Sequence, residues 1–91
     1  MARLKLNDGT LLEGSEAGYA EPDVWCFLRD VDFGRAYELF SDPEKTAYIR
    51  YQFGSTEIIY EGYTELNAIQ KDSSGISVRM RGGTKPPYTN T

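Results

Sequence analysis

The chain has 91 residues, 40 % hydrophobic and 26 % charged, with no histidine, one cysteine and a formal net charge of −4. That length holds one small domain around one core. The composition excludes a disordered chain, a disulfide-built mini-protein and a protein that grips nucleic acid through a broad basic surface.

The first element is "LKLNDGTLLEG", where Leu4 and Leu6 alternate with Arg3 and Lys5 ahead of Asp8-Gly9. It predicts a hairpin of residues 2–6 and 10–14 closed by a two-residue type I′ turn. The chain enters this strand pattern with no apolar h-region before it, and it carries no long apolar window, so neither a signal peptide nor a membrane span is expected. "SEAGYAEPD" follows and reads as a loop marked by Gly18 and Pro22. "VWCFLRD" is short, aromatic and bounded by turn signals, which predicts a buried strand. Within it Cys26, between Trp25 and Phe27, reads as a small buried hydrophobe without a disulfide partner, which suits a reducing compartment.

In "DVDFGRAYELFSDP" the period changes: Phe33, Ala36, Tyr37 and Phe40 fall on one helical face, flanked by Leu39. Asp32 is the expected N-cap and Ser41-Asp42-Pro43 the stop. "TAYIRYQFGSTEIIYEG" then predicts a second hairpin. One face of its first strand holds Ala47, Ile49, Tyr51 and Phe53, and the other Tyr48, Arg50 and Gln52. After a Gly54-Ser55 turn, Ile58 and Tyr60 share one side of the return strand, and Glu57, Ile59 and Glu61 the other. A third hairpin runs from "YTELNAIQ" through "KDSSG" to "ISVRMRG", with Ile76, Val78 and Met80 alternating against Ser77, Arg79 and Arg81. "GGTKPPYTNT" has no apolar period and is expected to be flexible, or to order only against another chain.

Chemistry is marked mainly by missing parts. Without histidine there is no imidazole base or ligand, and one cysteine cannot build a thiolate zinc site. No glycine cluster forms a phosphate-cradling motif. Asp30 and Asp32 lack the rest of a calcium loop, so helix capping is the simpler role. Glu57, Glu61 and Glu65, regularly spaced, read as a solvated strand face rather than a glycosidase pair. "VRMRGGTK" is one RGG-like fragment in an acidic chain and reads as a strand end leading into the tail. Charge is unevenly spread: residues 1–44 carry ten acids against four bases, and residues 45–91 four acids against six bases. That polarity reads first as ordinary surface charge that happens to segregate, and second as copies meeting head to tail.

Taken together, "LKLNDGTLLEG", "VWCFLRDVDFGRAYELFSDPEKTAYIRYQFG" and "IIYEGYTEL" resemble a group of small proteins encoded in phages and prophages of gut Firmicutes, associated with virion structural and tail gene clusters. The shared outline is a DGT hairpin, an aromatic helix ending in "LFSDPEKTAYI" and a "YEGYT" strand, over about residues 3–69. The resemblance implies assembly rather than catalysis, and a place in the host bacterial cytoplasm or the virion.

The expected fold is α+β: a mostly antiparallel sheet of hairpins with one short amphipathic helix packed on it, over residues 1–82, and a flexible tail at 83–91. The expected function is non-enzymatic protein–protein contact as a virion, tail or assembly component, with no cofactor, metal, nucleic acid or membrane. The partner is a phage protein or another copy of the chain. A small acidic inhibitor or adaptor that binds a host protein is the alternative. Trp25, Tyr48, Arg50, Ile59 and Tyr63 are the candidate contact residues, on a surface that combines the second face of the 46–62 hairpin with the Trp25 neighbourhood.

Overall fold

The structure, a computed structural model, describes residues 2–90. In chain order the elements are β1 (Arg3–Lys5), β2 (Leu11–Glu13), β3 (Glu16–Ala20), β4 (Asp23–Leu28), α1 (Phe33–Phe40), α2 (Pro43–Thr46), β5 (Tyr48–Phe53), β6 (Thr56–Glu61), β7 (Glu65–Lys71), β8 (Ile76–Arg81) and β9 (Tyr88–Thr89). The strands form two sheets, β2-β1-β5-β6-β9 and β3-β4-β8-β7, and every pairing is antiparallel. The molecule is thus mostly antiparallel sheet with two short helices, broadly α+β.

Successive side chains on a strand point to opposite faces, so each strand gives alternate residues to the core. Leu4, Leu12, Ile49 and Tyr60 of the first sheet meet Val24, Cys26, Leu28, Ile76, Val78 and Met80 of the second in one buried cluster. Where one antiparallel sheet with a helix was expected, two sheets face each other. The helical connection between β4 and β5 carries the chain from the second sheet back to the first.

That connection begins where Asp32 caps α1, its carboxylate accepting from the Arg35 backbone N–H at 2.7 Å. The helix ends at Ser41, and Asp42 with Pro43 starts the single turn of α2. The buried face of α1 is narrower than the sequence predicts. Ala36, Leu39 and Phe40 are fully buried, and α1 lies against β7 and β8. Phe33 and Tyr37 are 41 % and 53 % exposed, so the aromatic stripe divides between core and surface. Leu39, expected beside the stripe, belongs to the core because the sheet meets the helix on the Ala36–Phe40 side.

Three further expectations are revised. The first hairpin forms, but its loop has three residues: Leu6 N–H donates to Thr10 O at 2.9 Å and Gly9 N–H to Leu6 O at 3.0 Å. Gly9 alone in that loop takes a positive φ, 92°, which gives a turn followed by a glycine bulge in place of type I′. The "loop" at 15–23 contains β3, fully registered against β4 from Glu16↔Phe27 to Ala20↔Asp23. Its alternation is hidden because its one deeply buried side chain is Ala17. The tail expected to be flexible lies instead on its own chain, where β9 pairs with β6 at Ile58↔Thr89 and Ile59↔Tyr88.

Candidate contact surfaces

Trp25 sits in the middle of β4 and alternates with the buried Val24 and Cys26, so it stands on the outer face of the second sheet at 37 % exposure. The indole lies flat on β3, where a Cβ at Gly18 would come within 2.2 Å of it. The absent side chain on β3 is therefore the seat of the ring. Phe27 shares the face, with the Arg29 guanidinium 5.1 Å from its ring centroid. At the other end of β4 Asp23 is almost fully buried among cations: Arg81 Nε donates to it at 2.8 Å, Asn67 Nδ2 at 3.2 Å, and Arg79 lies 3.6 Å away. The Arg81 hydrogen bond, aided by the charges of Arg81 and Arg79, outweighs the cost of burial and holds the Asp23 carboxyl below its usual range. In register Trp25 faces Gly18 on β3 and Arg79 on β8, with Ala20 opposite Asp23, Ser77 opposite Phe27 and Ala68 opposite Arg79 on the same face.

Tyr48 and Arg50 alternate with the buried Ile49, so they stand on the outer face of the first sheet, half-buried, with the Arg50 guanidinium 5.3 Å from the Tyr48 ring centroid. Because the two sheets face each other, this is the side of the molecule opposite to Trp25. The single combined surface expected from the sequence is therefore two surfaces.

Ile59 and Tyr63 offer no surface to a partner. Ile59 is fully buried although it points away from the main core, because its register neighbours Arg50 on β5 and Tyr88 on β9 flank it. Tyr63 is 2 % exposed, edge-on to Tyr60 and Tyr19, and its hydroxyl donates to the Lys85 carbonyl at 2.8 Å. Gly83 rests on that ring, where a Cβ would come within 2.2 Å. Both residues thus bind the C-terminal segment of their own chain. The segment is fastened again at Glu61, which accepts from the Tyr88 hydroxyl and lies 3.6 Å from Lys85 Nζ.

The other candidate groups are also engaged. Glu57 accepts from Asn90 Nδ2 at 2.8 Å and Gln52 Nε2 at 2.7 Å, and these hydrogen bonds, Asn90's first, lower its carboxyl pKa. Asp72 takes the Ser74 hydroxyl and the backbone N–H groups of Ser74 and Gly75, closing the β7–β8 loop. Burial without a charged partner pushes the Cys26 thiol up to about 12. Among the described residues no three acidic or cysteine side chains gather as a metal site, and no helix is long and apolar enough to cross a membrane.

Sequence reasoning missed the exposed pair Phe33 and Tyr37, one turn apart on α1. It also missed the fastening of the tail, whose Lys85 and Tyr88 carry no strand pattern of their own. No protein-family model matches the chain, and no curated protein or solved structure matches it.

Proposed function

We propose that the chain works by protein–protein contact, as a non-catalytic virion, tail or assembly component of a phage or prophage. One observation carries the contact reading: aromatic side chains stay exposed on surfaces that face different directions. Trp25 is on the outer face of the second sheet, Phe33 and Tyr37 are on the free side of α1, and Tyr88 at 37 % exposure is on the edge strand β9. Aromatic residues that a small core leaves outside are the residue types enriched at contact centres. Several separate patches favour a part that touches more than one neighbour over an inhibitor that clasps one target. The phage context rests on the sequence resemblance alone.

Light scattering behind size exclusion, over a range of protein concentrations, tests this reading. A concentration-dependent oligomer that Trp25→Ala or Tyr37→Ala weakens, with the fold intact, is the expected result. A strict monomer that captures one host protein from lysate would sink it in favour of the small acidic inhibitor or adaptor, the second reading. That rival is favoured by the small size and the net charge of −4.

A further inference from the structure

On the outer face of the first sheet Lys5 of β1 stands directly opposite Arg50 of β5. Like charges facing each other across a ladder destabilise it, and each normally finds a carboxylate. Here neither does: among the described residues no acidic side chain pairs with Lys5 or Arg50. The nearby carboxylates are already held. Glu13 lies 3.6 Å from Arg3, Glu57 accepts from Gln52 and Asn90, and Glu61 is taken by Tyr88 and Lys85.

The two cations border an open cleft of about 360 Å³ whose other walls are the Tyr48 side chain and the 6–9 turn. Asp8, the acid in that lining, turns its carboxylate to the Thr10 backbone N–H at 2.9 Å and lies in the field of Lys45. Asn7 is fixed at the rim by its side-chain donation to Glu44 O at 3.0 Å. The Tyr48 ring lies against the Arg50 guanidinium, 5.3 Å from its centroid, and leaves the rest of that planar donor set for a ligand. Two cations that form no salt bridge among the described residues, in the field of Glu57 but out of contact with it, border a concavity and so mark a place prepared for an anion from outside.

We propose that this cleft binds a dianionic phosphate group, bridged between the Arg50 guanidinium and the Lys5 ammonium. Two adjacent cations match two negative charges, and a guanidinium matches the geometry of phosphate oxygens. The cleft lies within the size range of small-molecule sites, about 300–1,000 Å³, and exceeds what a bare ion fills, so a phosphate monoester with a small organic body fits it.

The test is a chemical-shift titration of the full chain with inorganic phosphate and with phenyl phosphate, against chloride at matched ionic strength. Shifts confined to β1, the 6–9 turn and β5 are expected with phosphate and absent with chloride. Tighter binding of phenyl phosphate assigns the site to a monoester, and equal binding assigns it to the free ion. Lys5→Gln and Arg50→Gln are each expected to weaken binding at least about tenfold, the loss of one charged hydrogen-bond donor. Lys71→Gln, at the exposed end of β7, leaves it unchanged. Lys5→Gln, which leaves Ile59 and the Tyr48 ring covered, also relieves the like-charge opposition, so its unfolding midpoint in phosphate-free buffer stays level or rises, which separates lost binding from lost folding. Shifts no larger than with chloride, or shifts that survive the Lys5→Gln, Arg50→Gln double substitution, overturn the proposal.

Discussion

Single side chains decide which face of each strand is free. Trp25 stands outward by alternation and is only partly exposed because Gly18 lets the ring lie on β3, so Gly18→Ala should lift the indole off β3. The expected outcome is a red shift in tryptophan emission with a stability loss larger than that of an ordinary surface substitution, about 0.5 kcal/mol, because the indole loses its packing on β3. Cys26 behaves oppositely: fully buried, with its thiol pushed up to about 12, it should react with thiol reagents only through opening of the fold. Labelling at the rate of an exposed thiol would contradict that burial. Asp23 adds a pH dependence. Its carboxyl pKa is held below the ordinary 3.8, so the stability it contributes is complete above that value and is lost as pH falls through the lower folded value. Acid unfolding monitored by circular dichroism should therefore show a loss below about pH 4 that Asp23→Asn reduces.

At the scale of elements, β9 is the smallest strand and the least legible one. Its two residues pair with Ile58 and Ile59, and its Tyr88 covers the side of Ile59 that β6 would otherwise present to solvent. Removing residues 83–91 should expose both Ile59 and the β6 edge, giving lower stability and a new tendency to pair edge to edge. Ile59→Ala in the full chain should cost about 2–5 kcal/mol, the range for truncating a buried aliphatic side chain, read from denaturant unfolding. A cost typical of a surface position would mean that Ile59 is free after all. β1, β5, β6 and β8 could be read from the sequence because period 2 is visible wherever a large apolar residue occupies each inward position, and β4 because a short aromatic run is bounded by turn signals. β3 could not, since Ala17 and Gly18 carry almost no pattern, and β9 could not, since its hold on the chain comes from tertiary contacts at Tyr63 and Glu61. The helix was legible in extent but not in facing, because four apolar residues on one side exceed what a short helix at a sheet end can bury. For the same reason the candidate surface was legible only in part: alternation placed Tyr48 and Arg50 opposite Ile49, while Trp25, between apolar neighbours, fits core or surface alike in the sequence, and the burial of Ile59 and Tyr63 depends on the distant tail.

Over the whole molecule, the charge polarity of the chain does not survive folding as two poles. Each sheet interleaves strands from both halves: β4 lies beside β8 and β1 beside β5. Asp23 from the acidic half is paired inside the molecule with Arg79 and Arg81 from the basic half. At Asp23 the asymmetry thus joins the two halves of one copy and is not left over to join two copies. Any self-association should then rest on the exposed aromatic patches. Screening shortens the reach of exposed charges to about 10 Å at about 0.1 M salt, so an association driven by opposite poles would dissolve as salt rises. One driven by apolar burial would hold or tighten, since salting out favours removing apolar surface from water. Sedimentation velocity at low salt and at high sulfate separates these cases. The expected oligomer persists in sulfate and weakens in Trp25→Ala or Tyr37→Ala. An oligomer that dissociates in salt and ignores both substitutions would return the explanation to charge, and with it the head-to-tail arrangement of copies.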